Sequence, residues 1–302
     1  MGIVAGTRSG LFELGGRSWL DGREITALAG SEGGRWALVD GRELVRIAGE
    51  DQTTITTIEG EVGRCLLPVG DSVLVGTSNA RLIVVRDGSA EPVPAFDEAE
   101  GRDDWYTPWG GPADTRSLSA GPDASLFANV HVGGILRAED PAGPWTPTID
   151  IDADVHQVLA DGQDPSHVVA ATALGLAESR DAGGNWDFVT DGLHSSYARA
   201  VALDADRLFM SASTGPRGGR AAVYRRQPGA SAFEPCRDGL PEWFDGNIDT
   251  HCLAAGNGSV TFGTSSGDVF ESEDGGDSWR VVASDLPPVT GLLIAGQPIG
   301  AA

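Results

Sequence analysis

The chain has 302 residues, 43 of them Gly and 17 Pro, and a formal net charge of −23, with 44 Asp and Glu against 21 basic residues. Every basic residue is Arg; no Lys occurs. A surface this acidic repels phosphate backbones, which argues against a nucleic-acid partner, and no run of about 18 apolar residues is present to span a bilayer.

In chain order, Met1-Gly-Ile-Val-Ala-Gly-Thr lacks the basic start and long apolar stretch of a secretory signal. With Gly10-Leu-Phe-Glu-Leu and Ser18-Trp-Leu it reads as three strands in search of an inner partner. From Ile25 onward the pattern becomes regular. Short β-branched and apolar runs, broken by Gly, Pro and Asp turns, predict strands in sets of four. The second set begins at Ile25-Thr-Ala-Leu, the third at Arg64-Cys-Leu-Leu and the fourth at Arg116-Ser-Leu-Ser. The fifth begins at His156-Gln-Val-Leu, the sixth at Arg199-Ala-Val-Ala-Leu and the seventh at His251-Cys-Leu-Ala. After the seventh set comes a lone inner strand, Val289-Thr-Gly-Leu-Leu-Ile-Ala.

A four-strand unit repeated at roughly 40 to 50 residues is the period of a propeller blade. The orphan strand at the end and the incomplete blade at the start complete one another, which protects both open sheet edges. The expectation is an all-β, seven-bladed β-propeller of four-stranded blades, a single domain over residues 1–302. Blade one is built from residues 1–22 and 287–296. Cys65, Cys236 and Cys252 are an odd number without metal-ligand spacing. They read as reduced, packed thiols of a cytoplasmic, monomeric protein.

Two turns carry a shared motif: Ser179-Arg-Asp181-Ala-Gly183-Gly-Asn-Trp186 and Ser272-Glu-Asp274-Gly-Gly276-Asp-Ser-Trp279. Asp140-Pro-Ala-Gly-Pro-Trp145 is a worn copy. These segments fit Ser-x-Asp-x-Gly-x-Thr/Ser/Asn-Trp, and the chain resembles the Asp-box (bacterial-neuraminidase repeat) sialidase-like β-propeller superfamily. The resemblance covers roughly residues 116 to 283. It implies that the box is a structural turn between the third and fourth strands, with its Asp and Ser bonding turn amides and its Trp wedged between sheets. Sialidases also carry a Phe/Tyr-Arg-Ile-Pro segment and six blades. This chain has no such segment and counts seven, so glycosyl-hydrolase-like activity is an analogy of fold.

Alignment of the blades places Thr26, Arg64, Arg116, His156, Arg199, His251 and Thr290 at equivalent points near the start of each inner strand. Thr7, Thr77, His131, Thr172 and Thr264 end the second strands at the same level, called the top here. The recurring Asp114-Thr-Arg116, Asp154-Val-His156, Tyr197-Ala-Arg199 and Asp249-Thr-His251 gather polar groups around one channel mouth.

Two chemistries fit. His131, His156 and His251 could hold Zn²⁺ or a similar divalent metal ion with one open position for water, with Asp154 and Asp249 orienting or joining the ligands. Alternatively, Arg64, Arg116 and Arg199 could clamp a carboxylate or phosphate, with a His as general acid or base. The candidate catalytic groups are His156, His251, Asp154, Asp249 and Tyr197. Trp105, Tyr106, Trp109 and Trp243, in the long top loops, could stack on a ring or sugar. His167 and His194 read as ordinary loop residues. The functional expectation is a top-face pocket for a small polar or anionic, carbohydrate-like ligand, serving a metal-assisted hydrolase or lyase. The alternative is a non-catalytic scaffold whose rim binds a partner protein.

Overall fold

The computed structural model describes residues 2–31, 33–108 and 110–295. These residues form seven four-stranded antiparallel sheets. The inner strands are Val289–Ile294, Ile25–Ser31, Gly63–Val69, Thr115–Ala120, Val155–Ala160, Tyr197–Asp204 and Leu253–Gly256. Each packs against the inner strands of the blades before and after it, and the cycle closes between Leu253–Gly256 and Val289–Ile294. The chain is therefore a seven-bladed β-propeller.

Closure follows the sequence pattern. Val289–Ile294 pairs antiparallel with Ile3–Thr7, matching Ile3 to Ile294 and Ala5 to Leu292. Gly10–Glu13 and Ser18–Trp19 then complete blade one. Val289, Leu292, Leu293 and Ile294 are all buried, so this joint is held by apolar packing as well as by the ladder.

The core lies between neighbouring sheets. Strands with apolar residues on both faces, such as Val168–Thr172, are buried throughout, as expected of a sheet covered on two sides. In one interlayer, Leu38 and Leu44 of blade two meet Leu66, Val73 and Val85 of blade three. Outer strands face solvent and lose this pattern, for example Arg280–Ala283.

The motif turns close upon themselves. In one, Gly183 N–H donates to Ser179 Oγ at 2.8 Å and Asn185 N–H to Asp181 Oδ1 at 2.8 Å. In the other, Gly276 N–H donates to Ser272 Oγ at 2.8 Å and Ser278 N–H to Asp274 Oδ1 at 2.9 Å. Trp145 and Trp279 are buried behind their turns. These Asp side chains are committed to backbone and lie at the end opposite the channel mouth described next.

Candidate functional site at the channel mouth

Six of the seven inner strands carry one extra residue near their start. The pairing shifts around Thr26, Arg64, Arg116, His156, Arg199 and Thr290. A β-bulge of this kind bends the strand and re-aims the extra side chain. The positions aligned by sequence period are thus bulge positions in six blades.

Blade seven differs. Its inner strand starts only at Leu253, and His251 precedes it in a turn with φ of 64°. This turn is drawn into the channel. Thr250 Oγ1 lies 3.1 Å from both the His156 and Arg199 carbonyl oxygens, and Ser211 Oγ donates to Ile248 O at 2.8 Å.

Around the mouth, among the described residues, one set of ligand-type atoms converges. His131, Asp154 and His156 place one atom each within 4.8 Å of one another. His131 stands at the end of the second strand of blade four. Blades one, three, five and seven have Thr there, and its hydroxyl closes the following turn, as Thr7 does onto Gly10 O at 2.9 Å. An imidazole cannot fold back in that way, so it projects to the neighbouring blade. Asp154 sits in the left-handed region (φ 47°) after the 3₁₀ turn Ile151–Ala153. That sparsely populated geometry aims its carboxylate at both rings, 3.1 Å from His131 Nε2 and 3.7 Å from His156 Nε2.

Hydrogen-bond polarity fixes the proton positions. His156 Nδ1 is 2.6 Å from the Ala198 carbonyl, which can only accept. Nδ1 therefore carries the proton of the neutral ring, and Nε2 presents a lone pair toward Asp154. Arg116 Nη2 is 3.1 Å from His131 Nδ1. A guanidinium only donates, so His131 Nδ1 accepts and Nε2 bears its proton. In this tautomer His131 offers no lone pair to a metal. Arg116 and Arg199 add positive charge beside the cluster, so the donor set does not suit a divalent cation.

Burial dominates the titration. It pushes His156 down to about 3 against the pull of Asp154, and Arg116 and Arg199 add to the depression. It likewise pushes His251 down to about 4, opposed by a hydrogen bond to the Arg116 backbone. Asp154 is held below the usual carboxylate range: burial alone would raise it, and the hydrogen bond from His131, with the positive charge of Arg116, outweighs that. Arg116 is lowered by burial and by the charge of Arg199. The Tyr197 phenol is raised by burial; its ring lies 4.8 Å from that of His156, with the Arg199 guanidinium 5.4 Å over it.

The remaining expectations fare unevenly. His251 lies outside the His131–Asp154–His156 set, because its turn, unlike the bulges, aims the ring toward the Arg116 backbone. Asp249 pairs with Arg199 at 3.2 Å rather than with His251. Asp114 stands 3.8 Å from half-exposed Arg64. Trp243 is no open platform: Arg220 and Arg237 cover its ring at 5.2 and 4.9 Å, and His194 packs on it at 4.5 Å. Trp105 is half-buried against Phe96 and Arg102, whereas Tyr106 is 47% exposed. Trp109 lies outside the described residues.

Two histidines read as loop residues are structural. His194 bonds the Tyr224 hydroxyl at 2.6 Å. His167 is buried between Asp161 at 2.9 Å and Glu178 at 3.0 Å. Burial lowers His167, but these two bonds outweigh it and the net shift is upward. Asp161 and His167 flank the same hairpin loop, and that spacing was the available signal.

No family model matches this sequence, and no curated protein matches it. Solved structures do. "YCF48 bound to D1 peptide" shares 15% identity over 93% of this chain and 84% of that one, with a TM-score of 0.59. A putative 6-phosphogluconolactonase from Bacteroides uniformis shares 12% over 97% and 98%, at 0.64. A GH74 enzyme from Niastella koreensis shares 12% over 92% of this chain and 46% of that one, at 0.61. At such identities the likeness is one of fold: these proteins and this chain share the β-propeller.

Proposed function

We propose that the channel mouth binds a small polar ligand carrying several hydroxyl groups and one anionic or carbonyl group, in a divergent propeller of the Asp-box superfamily. The observation that carries this reading is a set of four side-chain atoms shut off from solvent without a hydrogen-bond partner: His156 Nε2, Arg199 Nε, Asn247 Oδ1 and His251 Nε2. Each such group costs about 1–3 kcal/mol when left unpaired. Three are acceptors and one is a donor, which is complementary to hydroxyl groups plus an acceptor. The superfamily assignment is supported by the bonded Ser–Asp turns.

Binding is favoured over catalysis. A base held at about 3 has little driving force to take a proton near neutral pH. The structural neighbours number both enzymes and a peptide-bound protein among them, so the shared fold serves either role. The scaffold reading is favoured by Tyr106 and Leu174, 47% and 48% exposed in the top loops.

The test is calorimetry and thermal shift with neutral sugars, sugar acids, simple carboxylates and divalent ions. Sugar acids are expected to stabilise the protein, and Asp154→Ala and Arg199→Ala to abolish the effect. Absence of any small-molecule binding, or equal binding in both variants, overturns the reading. Zn²⁺ binding lost in His156→Ala would restore the metal alternative.

A further inference from the structure

The outer strand of blade two is unlike the others. Asp51–Thr57 runs seven residues without Pro and contains four Thr. In the other six blades the outer strand has two to four residues. Three of those end in Pro: Pro92, Pro147 and Pro235. Short length and Pro are the usual protections of a sheet edge. Blade two lacks both, and among the described residues no strand pairs with the free side of Asp51–Thr57. Its register shifts around Ile55, so the straight part is Asp51–Thr54, all four exposed.

A second observation lies beside this edge. A groove of about 810 Å³ opens between the outer parts of blades one and two, and Gln52 and Thr54 line it. Residues two apart share one face of a strand, so the groove runs along one face of the free edge. Trp19 and Val45, both buried, form its floor. Asp21 and Glu50 stand on its walls. Arg17 pairs with Glu50, and Arg23 with both Asp40 and Glu43. Counting Asp51, five carboxylates (Asp21, Asp40, Glu43, Glu50 and Asp51) stand against two guanidiniums, leaving the rim acidic.

We propose that this edge and groove bind an extended cationic segment of a partner protein as a fifth strand of blade two. Backbone bonds to Asp51–Thr54 would supply affinity, and alternate side chains would enter the groove over Trp19, the mode of strand addition. Charge selects the occupant. A second copy would bring another −23 against the same acidic rim, whereas Arg or Lys side chains complement it.

The test uses fluorescence anisotropy of a short labelled peptide alternating arginine and valine, at physiological salt. Two controls have equal length: one with a central valine replaced by proline, and one alternating glutamate and valine. Saturable binding of the first is expected, at least tenfold tighter than either control. Thr54→Trp, which fills the groove, and Asp21→Arg with Glu50→Arg, which reverses its charge, should each weaken binding tenfold or more. Circular dichroism and melting temperature of each variant establish that the fold is kept. Equal affinity for the proline control would show polyelectrolyte attraction alone and overturn the proposal. So would unchanged binding in both variants, or a dimer in sedimentation that Thr54→Trp dissociates.

Discussion

His156 Nε2 faces Asp154 Oδ2 at 3.7 Å with a lone pair rather than a proton between them. The arrangement is imposed from behind, since the Ala198 carbonyl takes the Nδ1 proton at 2.6 Å. Two acceptors aimed at one another in a buried site repel, and the repulsion is relieved by any donor that enters.

Asp154→Asn supplies such a donor within the protein. Its amide can reach His156 while its oxygen still faces His131. The variant is expected to be as stable as the parent or about 1 kcal/mol more stable in urea unfolding, and to lose ligand-induced stabilisation. A clearly destabilised Asp154→Asn with unchanged ligand response would refute this account of the pair.

Stability should peak near neutrality. His167 has a raised folded pKa. Its contribution is complete below the unfolded value of about 6.5 and is lost as pH climbs through the folded value. His156 and His251 are depressed to about 3 and about 4. Their contribution is complete above about 6.5 and shrinks as pH falls, because the unfolded chain takes up protons that the folded chain refuses. Melting temperature against pH should show both flanks, with His167→Gln flattening the alkaline flank and His251→Gln the acid one. Parallel curves for parent and variants would count against it.

Removing residues 287–302 should open the ring. The deletion uncovers Ile3–Thr7 and discards four buried apolar side chains of Val289–Ile294, each worth about 1.5–3 kcal/mol when fully buried. A loss of several kcal/mol and self-association are expected in sedimentation and thermal melts. A monomer with the parental melting temperature would contradict the closure.

Salt should stabilise the protein well beyond ordinary screening. With 44 acidic residues, 21 Arg and no Lys, self-repulsion opposes the compact state. The Debye length falls from about 10 Å at 0.1 M to about 3 Å at 1 M. Melting temperature is expected to keep climbing between about 0.3 and 2 M KCl, on the scale of that shortening. A flat or falling profile there would leave the Lys-free composition without a role in salt tolerance.

The blade count and closure were legible because propeller strands repeat with a fixed period and Leu292, Leu293 and Ile294 form the continuous apolar run of a strand buried on both faces. The convergence of Arg116, His156 and Arg199 followed from the same alignment. His251 did not, because Thr250 bonds carbonyls of blades five and six, a contact with no local trace. Trp243 announced an aromatic, but the Arg220 and Arg237 that cover it are set by the path of the loop, not by spacing. Asp154 was visible as a partner of His156. Its left-handed turn, which brings it to His131 as well, depends on packing beyond the motif.

The joint between Ile3–Thr7 and Val289–Ile294 also sets a clock on folding. Partners such as Val4 and Leu293 are nearly the whole chain apart, and contacts of long sequence separation form late because loop closure must be met first. Until then Ile3–Thr7 has a bare edge able to recruit another chain. Refolding yield should therefore fall with protein concentration more steeply than for a circular permutant that begins at Val289 and joins that strand to Ile3–Thr7 through a short hairpin loop. Equal concentration dependence in the two proteins would place the vulnerable step elsewhere.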